Sequence, residues 1–163
     1  MLHHDSFHLK SLYHPARYFP KWISEITSKP FYPLTVLPLL MIFVFSLGGS
    51  VVAGRDAESL KQYASALKEL AASHQIYVVV GGGKIAREYI EKARALGASE
   101  MFCDQIGIGA TKLNSALLVA ALGDSAPQEI PEGYAAAARL AEPGRVVVMG
   151  GVAPGQTTDA VAA

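Results

Sequence analysis

Cysteine is almost absent from this chain. Cys103 is the only one in 163 residues, so no intrachain disulfide can form. A disulfide-stapled secreted domain is excluded, and a reducing compartment such as the cytoplasm fits. Cys103 itself reads as a small buried hydrophobe. An excess of charge is missing too. Fourteen Lys and Arg balance fourteen Asp and Glu, so no global field draws in nucleic acid. Basic residues are scattered, with no aromatic-interleaved patch, and no nucleic-acid partner is expected. Histidine is scarce beyond the amino terminus, where His3, His4, His8 and His14 account for four of the five. Neither a Ser-His-Asp set, a Cys-His set nor a paired-histidine metal motif can be assembled. What remains is 51% hydrophobic and 17% charged, a globular balance with enough chain for one domain.

Residues 1–40 carry no period of 2 or 3.6. They are expected to form a loosely ordered extension, with Met41 as the working start of the fold. A metal site from His3, His4 and His8 is the alternative for this segment. The run from Phe31 to Leu47 is nearly all apolar and close to the ~17–25 residues of a membrane helix. Pro33 and Pro38 interrupt it, and no basic cluster flanks it. Its last part, Met41 to Phe45, is short, β-branched and aromatic, as a buried parallel strand is. A glycine turn and an amphipathic helix follow in place of a cleavage site. The expectation is a strand and no membrane span.

Glycine is plentiful, and its placement carries the chemistry. Val78-Val79-Val80 ends in Gly81-Gly82-Gly83, then Lys84 and Arg87 on a helical pattern. Glycines let the backbone turn sharply and leave its amides uncovered. The helix start that follows adds free N–H groups and partial positive charge, where a phosphate binds well. Taken alone, this loop is equally a tight turn with solvated basic residues. Two more apolar runs end the same way: Met41 to Phe45 before Gly48-Gly49-Ser50, and Val146 to Met149 before Gly150-Gly151. In an open parallel sheet, ligands sit beyond the carboxyl ends of the strands. Three such loops would converge on one crevice suited to a polyphosphate or a phosphorylated substrate.

Between the strands the pattern is helical. From Asp56, apolar residues Leu60, Tyr63, Ala64, Leu67, Leu70 and Ala71 share a face. Further helices are expected over Ala86–Leu96, Ala110–Leu122 and Gly133–Ala141, and from Thr158. Strands are expected over Ile76–Val80 and Arg145–Met149, with a weak candidate over Pro127–Pro131. Alternating strands and helices predict an α/β fold: an open, mainly parallel sheet with helices on both faces. The chain stops just as a helix begins after Thr158, so a fold that continues beyond Ala163 is expected.

Taken in order, Gly81-Gly82-Gly83-Lys84, Arg87-Glu88-Tyr89-Ile90, Asp104-Gln105-Ile106-Gly107-Ile108 with Thr111 and Asn114, and Met149-Gly150-Gly151 through Pro154-Gly155-Gln156-Thr157-Thr158-Asp159 resemble the archaeal-type UMP kinases. These belong to the amino acid kinase superfamily, whose domain is a three-layer sandwich. The resemblance covers about residues 41–163, the acceptor-nucleotide portion of such a domain, with the C-terminal part missing. It implies transfer of a phosphoryl group from ATP to UMP, with Mg²⁺, in a cytoplasmic homohexamer serving pyrimidine nucleotide biosynthesis. Gly49 and Ser50 would line the ATP phosphates, with Gly83 and Arg87 on the same side. Gly82 would contact UMP, and Asp104 would bind its ribose hydroxyls. Val152, Ala153, Pro154, Gly155, Gln156, Thr157 and Thr158 would hold UMP through main-chain groups and the threonine hydroxyls.

Phosphoryl transfer asks little covalent help of a protein. It asks for alignment and neutralised charge, which glycine amides with Lys84 and Arg87 can supply as the catalytic pair. Asp104 has a second reading as a helix N-cap before Gln105, and Thr157, Thr158 and Asp159 could equally be a helix cap. Many members of the superfamily carry a lysine two residues before the first Gly-Gly pair. Here that residue is Ser46, so another group, Lys84 among them, would have to replace it. Two alternatives stand beside UMP kinase: a related kinase with another acceptor, such as isopentenyl phosphate, and a truncated, inactive nucleotide-binding remnant.

Overall fold

The computed structural model describes residues 41–163. The expectations for residues 1–40, an extension or a histidine metal site, lie outside the described residues. Three strands, β1 (Ile42–Leu47), β2 (Gln75–Val80) and β3 (Val146–Met149), form one sheet in the order β1-β2-β3. Both pairings are parallel. Leu47 lies opposite Val80, and Val79 opposite Met149, so all three strands end along one edge. The apolar run thus ends as a strand, as expected. β2 and β3 are apolar on both faces because helices cover both, the usual reason for unalternated strands.

On one face pack α1 (Gly49–Ala53), α2 (Ala57–Ala71) and α4 (Glu100–Leu122). Their Val52, Leu60, Ala64, Leu118, Val119 and Leu122 meet Ile76, Val78, Val80, Val146 and Val148. On the other face two short helices, α5 (Tyr134–Arg139) and α6 (Thr158–Ala162), bring Ala137 and Val161 onto Val79, Val147 and Met149. α3 (Gly83–Ala95) runs along α4, and Cys103 is buried between them with its Sγ 4.0 Å from the Ile90 carbonyl oxygen. Local signals set the boundaries. Asp56 caps α2 by accepting from Ser59 N–H at 2.8 Å, and Ser99 caps α4 by accepting from Phe102 N–H. Gly97, at φ 83°, ends α3 in the left-handed region.

Three expectations need correction. α3 starts at Gly83, not Ala86, because the third glycine is already its first residue. α4 starts at Glu100, not Ala110. Gly107 and Gly109 break the apolar period without breaking the helix, at a cost of about 1 kcal/mol each. Asp104 therefore lies inside α4 and is not its N-cap, which is Ser99. Residues 127–131 form no strand. A proline at each end removes two backbone donors that a sheet would need. α4 is long and apolar enough to cross a membrane by length and composition, yet Leu118 and Leu122 are wholly buried against the sheet, the pattern of a core helix.

Candidate functional site

The parallel register sets the three glycine loops side by side at the carboxyl edge. The first two touch backbone to backbone. A Cβ on Gly49 would lie 2.2 Å from Gly81 O and 2.5 Å from Gly83 N. Gly83 has φ 63°, and a Cβ there would lie 2.7 Å from Ser50 N. Only glycine admits both the approach and the conformation. The third loop packs on α4: a Cβ on Gly150 would lie 2.5 Å from Thr111 Oγ1.

Next to these loops opens a crevice of about 470 Å³, within the ~300–1,000 Å³ of small-ligand pockets. Gly82, Gly83 and Arg87 of the second loop and α3 form one wall. Asp104, Gly107, Ile108 and Thr111 of α4 form the floor, and Gly151, Ala153, Gly155, Gln156, Thr157 and Thr158 close the far side. Cation and carboxylate thus face one hollow, with the start of α3 adding its dipole. Asp104 accepts from Gly155 N–H at 2.8 Å, tying α4 to the third loop. Thr157 Oγ1 accepts from Ala160 N–H at 3.2 Å and caps α6, so the helix-cap reading holds for this residue.

Most of the expected site residues are brought together here. Gly49 lies beneath the second loop, with Ser50 next to it in α1. Val152 turns its side chain away, onto the Val147 and Met149 cluster. Lys84 is 79% exposed and pairs with Glu88 at 3.5 Å; it does not line the crevice. Ser46 donates to Asp159 Oδ1. Among the described residues, no three His, Cys, Asp or Glu side chains gather to hold a metal on their own. Asp159 does place one carboxylate at the end of β1. A single carboxylate, completed by substrate phosphates and water, is compatible with how Mg²⁺ is ordinarily held.

Two further residues stand out: Thr111 and Asn114, polar and buried on an otherwise apolar helix. Asn114 Nδ2 donates to the carbonyls of Gly81 (2.8 Å) and Gly82 (3.1 Å). Thr111 Oγ1 donates to Ile108 O and accepts from Gly151 N–H, both at 2.7 Å. Their i, i+3 spacing on one helix face was a visible signal, but their partners in the glycine loops lie 32 to 40 residues away in the chain. The resolved pKa shifts lie away from the crevice. Hydrogen bonds from Ser59 hold Asp56 below the usual carboxylate range, and the Arg94 guanidinium does the same to Glu100.

A glycine-lined crevice at the carboxyl edge of a parallel sheet, with a helix start pointing at it, is the arrangement of an α/β protein that takes phosphate-bearing ligands. Residues 41–163 match the amino acid kinase family, and the chain belongs to that family. It is 62% identical over 123 residues to the uridylate kinase of Methanothrix thermoacetophila, an alignment covering 76% of this chain and 55% of that protein. The crystal structure of uridylate kinase from Archaeoglobus fulgidus superposes with a TM-score of 0.69 at 51% identity, over 74% of this chain and 55% of that one. UMP kinase from Ureaplasma parvum shares the fold, with a TM-score of 0.57 at 18% identity over 77% of this chain and 61% of its own. The chain spans about half the length of the curated relatives it matches.

Proposed function

We propose that this chain forms the acceptor-nucleotide portion of a UMP kinase, which transfers the γ-phosphoryl group of ATP to UMP and releases ADP and UDP. The observation that carries the reading is the crevice itself, with Arg87 and Asp104 on adjoining walls, in a chain so similar to uridylate kinases. An oxygen of the UMP phosphate forms the new P–O bond as the bond to ADP breaks, so the protein must align two anions and neutralise them. The amides of Gly82 and Gly83 and the start of α3 meet the phosphates, and Arg87 adds a charge-assisted contact. Asp104 already binds Gly155 N–H through Oδ2, and its other oxygen accepts from a ribose hydroxyl. The threonines of the 151–158 loop surround the base and sugar. Lys84 joins them only by leaving Glu88, so Arg87 is assigned the larger role. Asp159 would be the carboxylate available to hold Mg²⁺, which would supply neutralising charge for the phosphates.

The same reading places the protein in pyrimidine nucleotide synthesis in the cytoplasm, as a homo-oligomer. The test is calorimetry on the whole chain with UMP and AMP. UMP is expected to bind at least tenfold more tightly, a difference of ~1.4 kcal/mol. Equal or stronger AMP binding overturns the assignment.

A further inference from the structure

The inference concerns α4 and rests on the acceptor-site reading above. One face of this helix carries Asp104, Thr111 and Asn114, spaced seven and three residues apart. Each holds a different part of the crevice: Asp104 the Gly155 amide, Thr111 the Gly151 amide, Asn114 the carbonyls of Gly81 and Gly82. Asn114 is 2% exposed and does not line the crevice; Thr111 is 6% exposed and lies in the crevice floor, with its hydroxyl engaged by Ile108 O and Gly151 N–H. A trans peptide points its N–H opposite its C=O. By drawing the Gly81 and Gly82 carbonyls toward α4, Asn114 turns the amides of Gly82 and Gly83 away from it, toward the side where Gly49 packs. Thr111 fixes the opposite wall. Its hydroxyl is oriented by donating to Ile108 O, which leaves a lone pair for Gly151 N–H. Buried polar groups are kept where they are satisfied, and here they are satisfied by the two loops that form the crevice.

We propose that Thr111 and Asn114 are positioning residues: α4 acts as a rigid ruler that sets the distance between the phosphate-facing amides of the second loop and the acceptor-holding 151–158 loop. Without the Thr111 hydroxyl, the third loop loses its register with the second, and the acceptor binds weakly because the loop that holds it has shifted.

The experiment uses the whole chain with Thr111→Val, which keeps shape and loses the hydroxyl, and Thr111→Ser, which keeps the hydroxyl. UMP affinity is read by calorimetry, and amide hydrogen exchange is read at Gly151 and, as a core reference, at Val148. Thr111→Val is expected to weaken UMP at least tenfold and to speed exchange at Gly151 at least tenfold while Val148 keeps its wild-type rate. Thr111→Ser restores both to within about threefold. Equal acceleration at Val148, no rescue by serine, or unchanged affinity in Thr111→Val overturns the proposal. Should Thr111→Val fail to fold, Gly150→Ala presses on the same hydroxyl from the loop side and must give the same pair of losses. If the wild-type chain binds no UMP, the acceptor reading fails. The positioning role of Thr111 then stands or falls on selective exchange at Gly151 alone.

Discussion

The two faces of the sheet are built differently. One is sealed by two long helices, and Phe43, Phe45 and Leu47 of β1 turn toward that side. The other has, among the described residues, only five- and six-residue helices, and there β1 shows Ile42 at 67% and Val44 at 47% exposure. On this second face β-branched residues are core in β2 and β3, at Val79 and Val147, but surface at the β1 edge. Burial, not composition, separates a residue that carries stability from one that does not, since the gain scales with area removed from water. The sealed face supports the fold, and its α4 also reaches the crevice, so stability and site geometry meet in one helix.

Substitutions can break or sharpen this contrast. Leu118→Ala, on the sealed face, is expected to cost about 2–5 kcal/mol through lost burial and the cavity left behind, read by urea unfolding. A cost below 1 kcal/mol would mean the sealed face is loosely packed. Gly49→Ala lies on the rim between the faces, where the added methyl meets backbone that cannot rotate away. About 1–3 kcal/mol is expected, together with shifted amide resonances at Gly81 to Gly83. Unshifted resonances would separate the first two loops. Val44→Ser, on the open face, should stay within about 0.5 kcal/mol of wild type. A loss on the scale of Leu118→Ala would show that something covers Val44 in solution. Glu100→Gln, remote from both faces, should have the smallest effect. Arg94 lowers the Glu100 pKa by donating to its carboxylate. The pair's contribution is thus present above the ordinary glutamate range and lost as pH falls through the lowered value. The mutant's melting temperature should match wild type in acid and fall slightly below it at neutral pH; a gap that persists in acid would contradict this.

The strands and the convergence of glycine loops were legible because both are local: β-branched runs, then paired glycines. The three-layer α/β arrangement followed from their alternation with helices. The first ten residues of α4 were not legible, because its interior glycines look like breaks until α3 is packed beside Gly107, where a Cβ would press on Ile90 at 3.3 Å. The 127–131 segment misled in the other direction, since its prolines bound a short run as strand ends often are. Among site residues, the glycines and Arg87 could be singled out by type and spacing. The exposed position of Lys84 could not, because it depends on which way one turn of α3 faces. Thr111 and Asn114 were visible as residues but not as ties, for a hydrogen bond across 30 or more positions leaves no local trace.

The lone thiol has a practical consequence. Cys103 lies beside Asp104 in sequence and is shut between α3 and α4. Thiols react as thiolates and only when reached by reagent, so an alkylating probe finds nothing to modify until these two helices part. With no other sulfhydryl in the chain, the modification rate is a clock for that one opening, free of background. A ligand seated in the crevice spans α3 and α4 and should slow the clock. Occupancy can therefore be timed on the unaltered protein by mass alone, without a label, a mutation or an assay of turnover.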